Sequence, residues 1–405
     1  MEQVLYSLPD GWEWKTIEKV AQIGADRGFV PTPDSEGNVP FIGMTDIDQE
    51  TGQKSTYELR NFDDVKKGYT KFQRDAVLFA KITPCTENNK TALIDNVDGG
   101  FATTEVFPIH ALDSVEPKYL LHFFRSPSVR RFLIDHMEGA TGRQRVPLKA
   151  LKSVSVPVCG LKEQKRIVEK LDALLIRIDT AIEHLQESIT LADSLYASTI
   201  NEQMMQAVEL TGLSTVEKHI EQIQTGTTPP TKQPEFYENG DINWFAPSDF
   251  GDHDILSDSN KKLSQKAFDA GKARKFDAGT IMLVAIGATI GKIGYLEQDA
   301  SSNQQITGMK FNSDIIARYA YYWFRFIKPE ILANASTATL PIINQKGIKA
   351  LSFCAPNKQL QETICKKIDE VSNFRNTVKA ELIEKVELMC SLKASILDSA
   401  FKGQL

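Results

Sequence analysis

A chain of 405 residues, 41% hydrophobic and 25% charged, is long enough for two or three globular units with ample core-forming material. No stretch approaches the roughly 18 apolar residues of a membrane span, the opening MEQVLYSLPDGWEW has neither region of a secretory leader, and the five cysteines (Cys85, Cys159, Cys354, Cys365, Cys390) lack any CxxC spacing. Disulfide frameworks, structural zinc and membrane insertion are therefore excluded as expectations, leaving a reduced, cytoplasmic protein. The net charge of −6 argues against a uniformly basic nucleic-acid binder, yet the charge is uneven: RQRVPLKALK at 143–152 carries four basic side chains and no acid, and 261–275 carries six basic side chains with only Asp269.

In chain order, TIEKVAQI (16–23) opens a region of mixed character. AVLFA (76–80) is a strand candidate bounded by turn residues. PKYLLHFF from 117 predicts a helix that restarts at the Ser126-Pro127 pair, and LKALKSVSVPV (148–158) brings the region to Pro157. Beyond it Ile167, Leu171, Leu174, Ile178 and Ala181 recur at steps of four and three, and the stripe continues one position over through Ile182, Leu185, Ile189, Ala192 and Tyr196. This is the seam of a long pairing helix.

The chain then begins again. TVEKHIEQI (215–223), the strand candidate IMLVAIG (281–287), a helical stretch at 314–334 behind Ser313, IKALSFCAP (348–356) and Pro356 repeat the same plan. EQKRIVEKLD (163–172) returns as LQETICKKID (360–369), and SLYAS (194–198) as SLKAS (391–395). A second seam follows at Ile364, Ile368, Val371, Val378, Leu382, Met389, Leu392 and Ile396. Order and offset are kept throughout, which identifies a tandem duplication of one unit of about 200 residues. Each long helix spans about 43 residues and roughly 65 Å at the α-helical rise. The expected fold is α+β: two mixed α/β heads (1–157 and 207–356), separated by a pair of long antiparallel coiled-coil helices (158–206 and 357–405) in a pseudo-two-fold repeat.

Catalytic motifs are missing. GATIGK (287–292) is one residue short of a phosphate-binding loop, and Ile293 stands where a Ser or Thr would hold the metal, so a strand–turn–strand hairpin is expected. TTPPT (227–231) has the outline of an amino-methyltransferase loop, but Thr228 and Thr231 supply neither the amino-group acceptor nor the stacking ring. The six histidines (His110, His122, His136, His184, His219, His253) form no metal-binding pairing, and Glu163-Gln164-Lys165 lacks the upstream partner of a nuclease motif and reads as a solvent-facing charge pair. The chain is expected to bind without doing chemistry, with a coiled-coil scaffold carrying two protein-binding heads as the alternative and a fused methyltransferase or nuclease as a second rival.

LPDGWEW (8–14), VPVCGLKEQKRIVEKLDALLIRID (156–179), TGTTPPTKQPEFYENGDINWFAPSDF (225–250), ATIGKIGYLEQDASSNQQI (288–306) and SLKASILDSAFKGQL (391–405) together resemble specificity (S, HsdS) subunits of type I restriction–modification systems. The resemblance covers nearly the whole chain. It implies that each head is a target recognition domain for double-stranded DNA and that the chain has no catalytic site. It further implies that two methyltransferase subunits dock on it, that a motor–nuclease subunit joins the full complex, and that methyl donor and ATP bind those partners, leaving this chain without a cofactor or metal.

Readout of base edges calls for paired hydrogen-bonding side chains, with cations to hold phosphates. On that basis the first head's candidates are Lys81, Thr83, Lys90, Thr103, Thr104, Arg143, Gln144 and Arg145, the two arginines suited to guanine and Gln144 to adenine. The second head's are Thr227, Thr228, Lys232, Ser248, Asp249, Lys292, Asn303, Gln304 and Gln305. The basic segment 261–275 is expected to steer by charge or to be a solvated face.

Overall fold

The computed structural model describes residues 3, 5–52, 57–251, 255–335 and 340–405. It divides into unit 1, Met1–Gln186 with Ile383–Leu405, and unit 2, Glu187–Leu382.

In unit 1 the strands are β1 (Glu13–Thr16), β2 (Ala21–Ile23), β3 (Asn38–Ile42), β4 (Glu58–Asn61), β5 (Thr70–Gln73), β6 (Ala76–Ala80), β7 (Thr91–Ile94), β8 (Gly99–Ala102), β9 (Val106–Ala111) and β10 (Ser155–Val158). The helices are α1 (Phe62–Val65), α2 (Pro117–Arg125), α3 (Pro127–Asp135), α4 (Leu148–Lys152) and the start of α5 (Leu161–Thr211). One sheet runs β2-β9-β6-β7, a second β4-β3-β8-β5, and β1 pairs with β10 at the root of the helix. The expected AVLFA strand is β6, with all five residues buried, held between β9 and β7. A fully apolar run belongs in such a central position, where both faces are covered.

Unit 2 contains β11 (Ser214–Thr215), β12 (Ile220–Thr225), β13 (Ile242–Phe245), β14 (Ile255–Leu256), β15 (Lys261–Leu263), β16 (Ile281–Val284), β17 (Ile293–Leu296), β18 (Ser301–Ser302), β19 (Ile306–Phe311) and β20 (Ser352–Phe353). With them are α6 (Gln265–Asp269), α7 (Ala317–Phe326), α8 (Lys328–Ala333), α9 (Gln345–Ala350) and most of α10 (Lys358–Ala400). Its sheets run β12-β19-β16-β17-β14 and β15-β13-β18, and β11 pairs with β20. β16 and β17 form the hairpin expected in place of a phosphate loop. The stretch expected as one helix over 314–334 is two, α7 and α8. It starts behind Ile316, not Ser313, and breaks at Ile327 because Pro329 cannot continue a hydrogen-bonded turn.

The same fastenings recur at the root of each head. Gln164 on α5 accepts from Glu116 N at 2.9 Å and donates to Ser114 O at 3.0 Å and Cys159 O at 2.7 Å. Gln361 on α10 accepts from Ile316 N at 2.8 Å and donates to Asp314 O at 2.9 Å and Pro356 O at 2.7 Å. Both glutamines are fully buried, while Lys165 is exposed and Glu163, half-buried, pairs with Arg166. Tyr119 donates to Pro157 O and Tyr319 to Cys354 O. Asp172 takes His122 and Lys118, while Asp369 takes Tyr322 and Arg318.

The long helices are antiparallel within each unit. In unit 1 Ile167 and Leu171 share a core with Leu397, Ala400 and Phe401, and Asp179 pairs with Lys393 at 2.6 Å. In unit 2 Asp193 pairs with Lys379 and Glu202 with Lys367. Of the expected seam, Ile167, Leu171, Ile178, Ile364 and Ile368 are buried, and Leu174, Ile182, Leu185, Val371, Val378, Leu382 and Met389 are half-buried. The first helix runs on to Thr211, past the expected end, because the chain first meets a residue suited to the left-handed conformation at Gly212 (φ +80).

Candidate nucleic-acid interface

Three connections meet at one edge of the first head: 81–90 after β6, 103–105 between β8 and β9, and 136–147 before α4. Main-chain bonds lock them together: Lys81 N to Glu105 O at 3.0 Å, Val146 N to Lys81 O at 2.8 Å and Thr83 N to Gln144 O at 3.0 Å. Lys81, Thr83, Thr103, Thr104, Arg143, Gln144 and Arg145 are thus brought together, with Thr104 and Arg143 exposed and Gln144 half-buried. Arg145 is not free. Its guanidinium grips Glu105 with two bonds of 2.9 and 2.8 Å, a geometry that competes directly with a guanine edge. That hydrogen bond holds the Glu105 carboxyl below its ordinary range. Burial pushes the Lys81 ammonium down, against the pull of Glu105, and the ammonium lies 4.7 Å from the Phe107 ring centroid. Glu105 escaped the sequence reading. The one signal for it was its place in the first copy where Gln305 stands in the second.

The second head builds the same edge from different side chains. Ala285 N donates to Gln305 O, Ile343 N to Ala285 O and Gly287 N to Pro341 O, bond for bond as in the first head. Thr227 and Thr228 lie against the 303–305 turn: Thr227 N donates to Ser302 O at 2.9 Å, and Thr228 Oγ1 donates to Gln304 Oε1. The Thr-Pro-Pro loop is held by Trp244 Nε1 on Thr227 O at 3.0 Å and by Tyr237 OH on Pro229 O at 2.6 Å. Of the amide run only Gln304 is exposed. Asn303 is 8% exposed and closes the turn by accepting from Gln305 N at 3.0 Å and donating to its Oε1 at 3.1 Å.

Several candidates hold the loops through hydrogen bonds of their own. Lys90 donates to Met44 O at 2.8 Å and Lys292 to Phe250 O at 2.7 Å, equivalent ammonium groups bracing the loop after β3 and after β13. Asp249 accepts from Ala246 N at 2.7 Å and from Asn260, leaving Ser248 exposed beside it. Lys232 is exposed on the Thr-Pro-Pro loop. In the 261–275 segment Lys262 pairs with Asp258, Lys275 with Asp299, and Arg274 donates to Thr225 O. His253 lies outside the described residues. Among the described residues no group of three or more His, Cys, Asp or Glu is placed to hold a metal, and no helix is long and apolar enough to cross a membrane.

Two copies of one mixed sheet-and-helix head, each rooted on a long helix and each ending in an edge of linked loops, define a class of tandem two-headed protein. The family model for the type I restriction modification DNA specificity domain matches twice, over residues 9–191 and 208–388, and the chain belongs to that family. It is 34% identical over 196 residues to the type I restriction enzyme EcoAI specificity subunit of Escherichia coli, a match covering 48% of this chain and 32% of that protein. A match to the EcoBI specificity subunit of Escherichia coli is 22% identical and covers 99% of this chain and 88% of that protein. The matches to EcoAI and to the EcoEI subunit span about a third of those proteins (32% and 31%). The fold is shared with the HsdS subunit from Thermoanaerobacter tengcongensis (TM-score 0.56, 19% identity, all of both chains). It is also shared with a chain from a structural study of assembly and conformational transition in a type I R-M system (TM-score 0.78, 19% identity, 99% and 100% of the chains).

Proposed function

We propose that this chain is the non-catalytic DNA-specificity subunit of a type I restriction–modification complex. The heads at 1–157 and 207–356 each read one half of an asymmetric bipartite duplex target. The helices at 158–206 and 357–405 set the unread gap and dock two methyltransferase subunits, and a motor–nuclease subunit joins for cleavage. Methyl donor and ATP bind those partners, in the cytoplasm. The observation that carries the reading is one scaffold bearing two different loop sets: Thr103-Thr104-Glu105 against Asn303-Gln304-Gln305, and Gln144-Arg145 against Pro341-Ile342. Identical frames with unlike outward residues suit two unlike half-sites. Docking is supported by Ile176, Leu191, Phe374 and Leu388, which are 56–68% exposed on the long helices and call for a covering surface.

The test is selection of a random duplex library by the chain co-purified with its methyltransferase. One gapped, asymmetric motif is expected, and exchange of residues 1–157 with a relative's should change one half of it. No enrichment would favour the protein-binding scaffold, and methylation by this chain alone would establish an enzyme.

A further inference from the structure

We infer that an apolar groove at the root of the second head seats a segment of the methyltransferase subunit carrying an aromatic or aliphatic anchor beside a lysine or arginine, an assignment that rests on the specificity-subunit reading. The groove encloses about 240 Å³. Met205 and Val208 on the last turns of α5, with Leu213 beyond them, form one wall; Trp323, Phe326 and Ile327 at the end of α7 form the other. Met205 and Leu213 are 57 and 58% exposed. The charged side chains on the border are both acids, Glu209 and Glu330. Ser352 N donates to Glu330 and Trp323 Nε1 donates to Ser352 O, each at 2.8 Å, which fixes one carboxylate and the indole at the groove's edge. Large apolar side chains left this open call for a cover, and a rim of carboxylates selects a cationic one.

The first copy shows how such a place is filled. Leu213 stands two residues before TVEK as Trp14 stands two before TIEK, Trp323 follows Tyr319 as Phe123 follows Tyr119, and Met205 follows SLYAS as Lys402 follows SLKAS. In the first copy an extended arm, 5–14, lies across the end of α10. Tyr6 OH donates to Phe401 O at 2.8 Å, Trp14 Nε1 donates to Tyr6 O at 3.2 Å, and the two rings meet edge-on at 5.0 Å. Lys402 lies 5.7 Å from the Tyr6 ring centroid, and a Cβ on Gly403 would come within 2.3 Å of Pro9. In the second copy the chain passes from α5 through Gly212 and Leu213 straight into β11, so the cover has to come from elsewhere. Duplex phosphates would be repelled by Glu209 and Glu330, and a second copy docking groove to groove would set acid against acid. The methyltransferase is favoured by continuity with the face proposed to dock it. Leu191, Leu195, Ser198, Glu202, Met205 and Glu209 follow one another at steps of four and three on one stripe of α5, and both leucines are exposed.

The experiment titrates the full chain with its purified methyltransferase subunit and reads Kd by calorimetry at about 50 and 200 mM salt. Met205→Glu combined with Leu213→Glu is expected to weaken binding about tenfold or more. Glu209→Lys should weaken it about threefold at the lower salt and less at the higher. Leu210→Glu, at a position 68% exposed on the same helix but outside the groove, should bind as the wild type does. Wild-type affinity in a folded double variant overturns the groove and leaves the specificity-subunit reading standing. An equal loss from Leu210→Glu also overturns it, because the contact would then be the helix surface at large. Unchanged methyltransferase binding with lost self-association, or with lost recruitment of the motor–nuclease subunit, gives the groove to that occupant and overturns this one. If the wild-type chain binds no methyltransferase and selects no duplex, the specificity-subunit reading fails and the groove assignment with it. Should the double variant melt early, Glu209→Lys is read by the same criteria.

Discussion

Set side by side, the two heads agree where they meet the helices and diverge where their loops end. At the roots, Gln164 and Gln361 make the same three bonds, and Tyr119 and Tyr319 the same one. At the edges the main-chain frame persists, but Arg145 and Glu105 in one head correspond to Ile342 and Gln305 in the other. The contrast separates what holds a head in shape from what a head shows to a ligand. Buried polar groups with several partners resist exchange because a lost partner leaves the others unsatisfied. Exposed positions on a rigid frame are free to differ.

The largest test of that separation is at the roots. Gln164→Ala and Gln361→Ala each orphan one main-chain donor and two acceptors, and each should cost about 2–4 kcal/mol in denaturant unfolding. Similar losses are expected in the two units, and a loss in one alone would break the equivalence. Next, Arg143→Ala at the exposed edge of the first head should weaken target binding by about 1–3 kcal/mol and relax one position of that half-site, with no change in unfolding. Uniform loss across sequences would move Arg143 from base to phosphate contact. Smaller still, Lys90→Met and Lys292→Met remove bonds to Met44 O and Phe250 O and should each cost about 1 kcal/mol of stability, with the selected motif retained.

The duplication and the helix pair were legible in the sequence because they rest on periodicity and order, which survive divergence. Ile167, Leu171, Ile364 and Ile368 could be assigned from spacing alone, and each is buried. The break at Pro329 and the run-on to Thr211 were missed because capping and helix stops depend on one or two residues against a strong background pattern. The candidate interface was legible only as a set of loops. Which residue in a loop faces outward is decided by tertiary partners: Asn303 turns in to close its own turn while Gln304 turns out, and nothing in Asn-Gln-Gln distinguishes them. Lys90 and Lys292 look like phosphate ligands by type, yet each braces a carbonyl more than forty positions away.

The finest prediction concerns the one charge pair that the first edge has and the second lacks. Glu105 has a folded pKa below its ordinary 4.5, chiefly through the Arg145 bond. The contact therefore supports the edge fully above that value and is lost as pH falls through the folded one. Glu105→Gln should make the acid limb of unfolding shallower in unit 1 and leave neutral-pH stability nearly unchanged, since so exposed a pair contributes little. On the proposed DNA reading the same change has the opposite sense: it would free the Arg145 fork and remove an anion from the candidate interface, so affinity should rise a few-fold at neutral pH. Gln305→Glu in the second head puts an acid where none stands and should lower affinity by a similar factor. If Glu105→Gln weakens binding instead, Arg145 serves the duplex only when Glu105 aims it, and the pair is a reading unit in its own right.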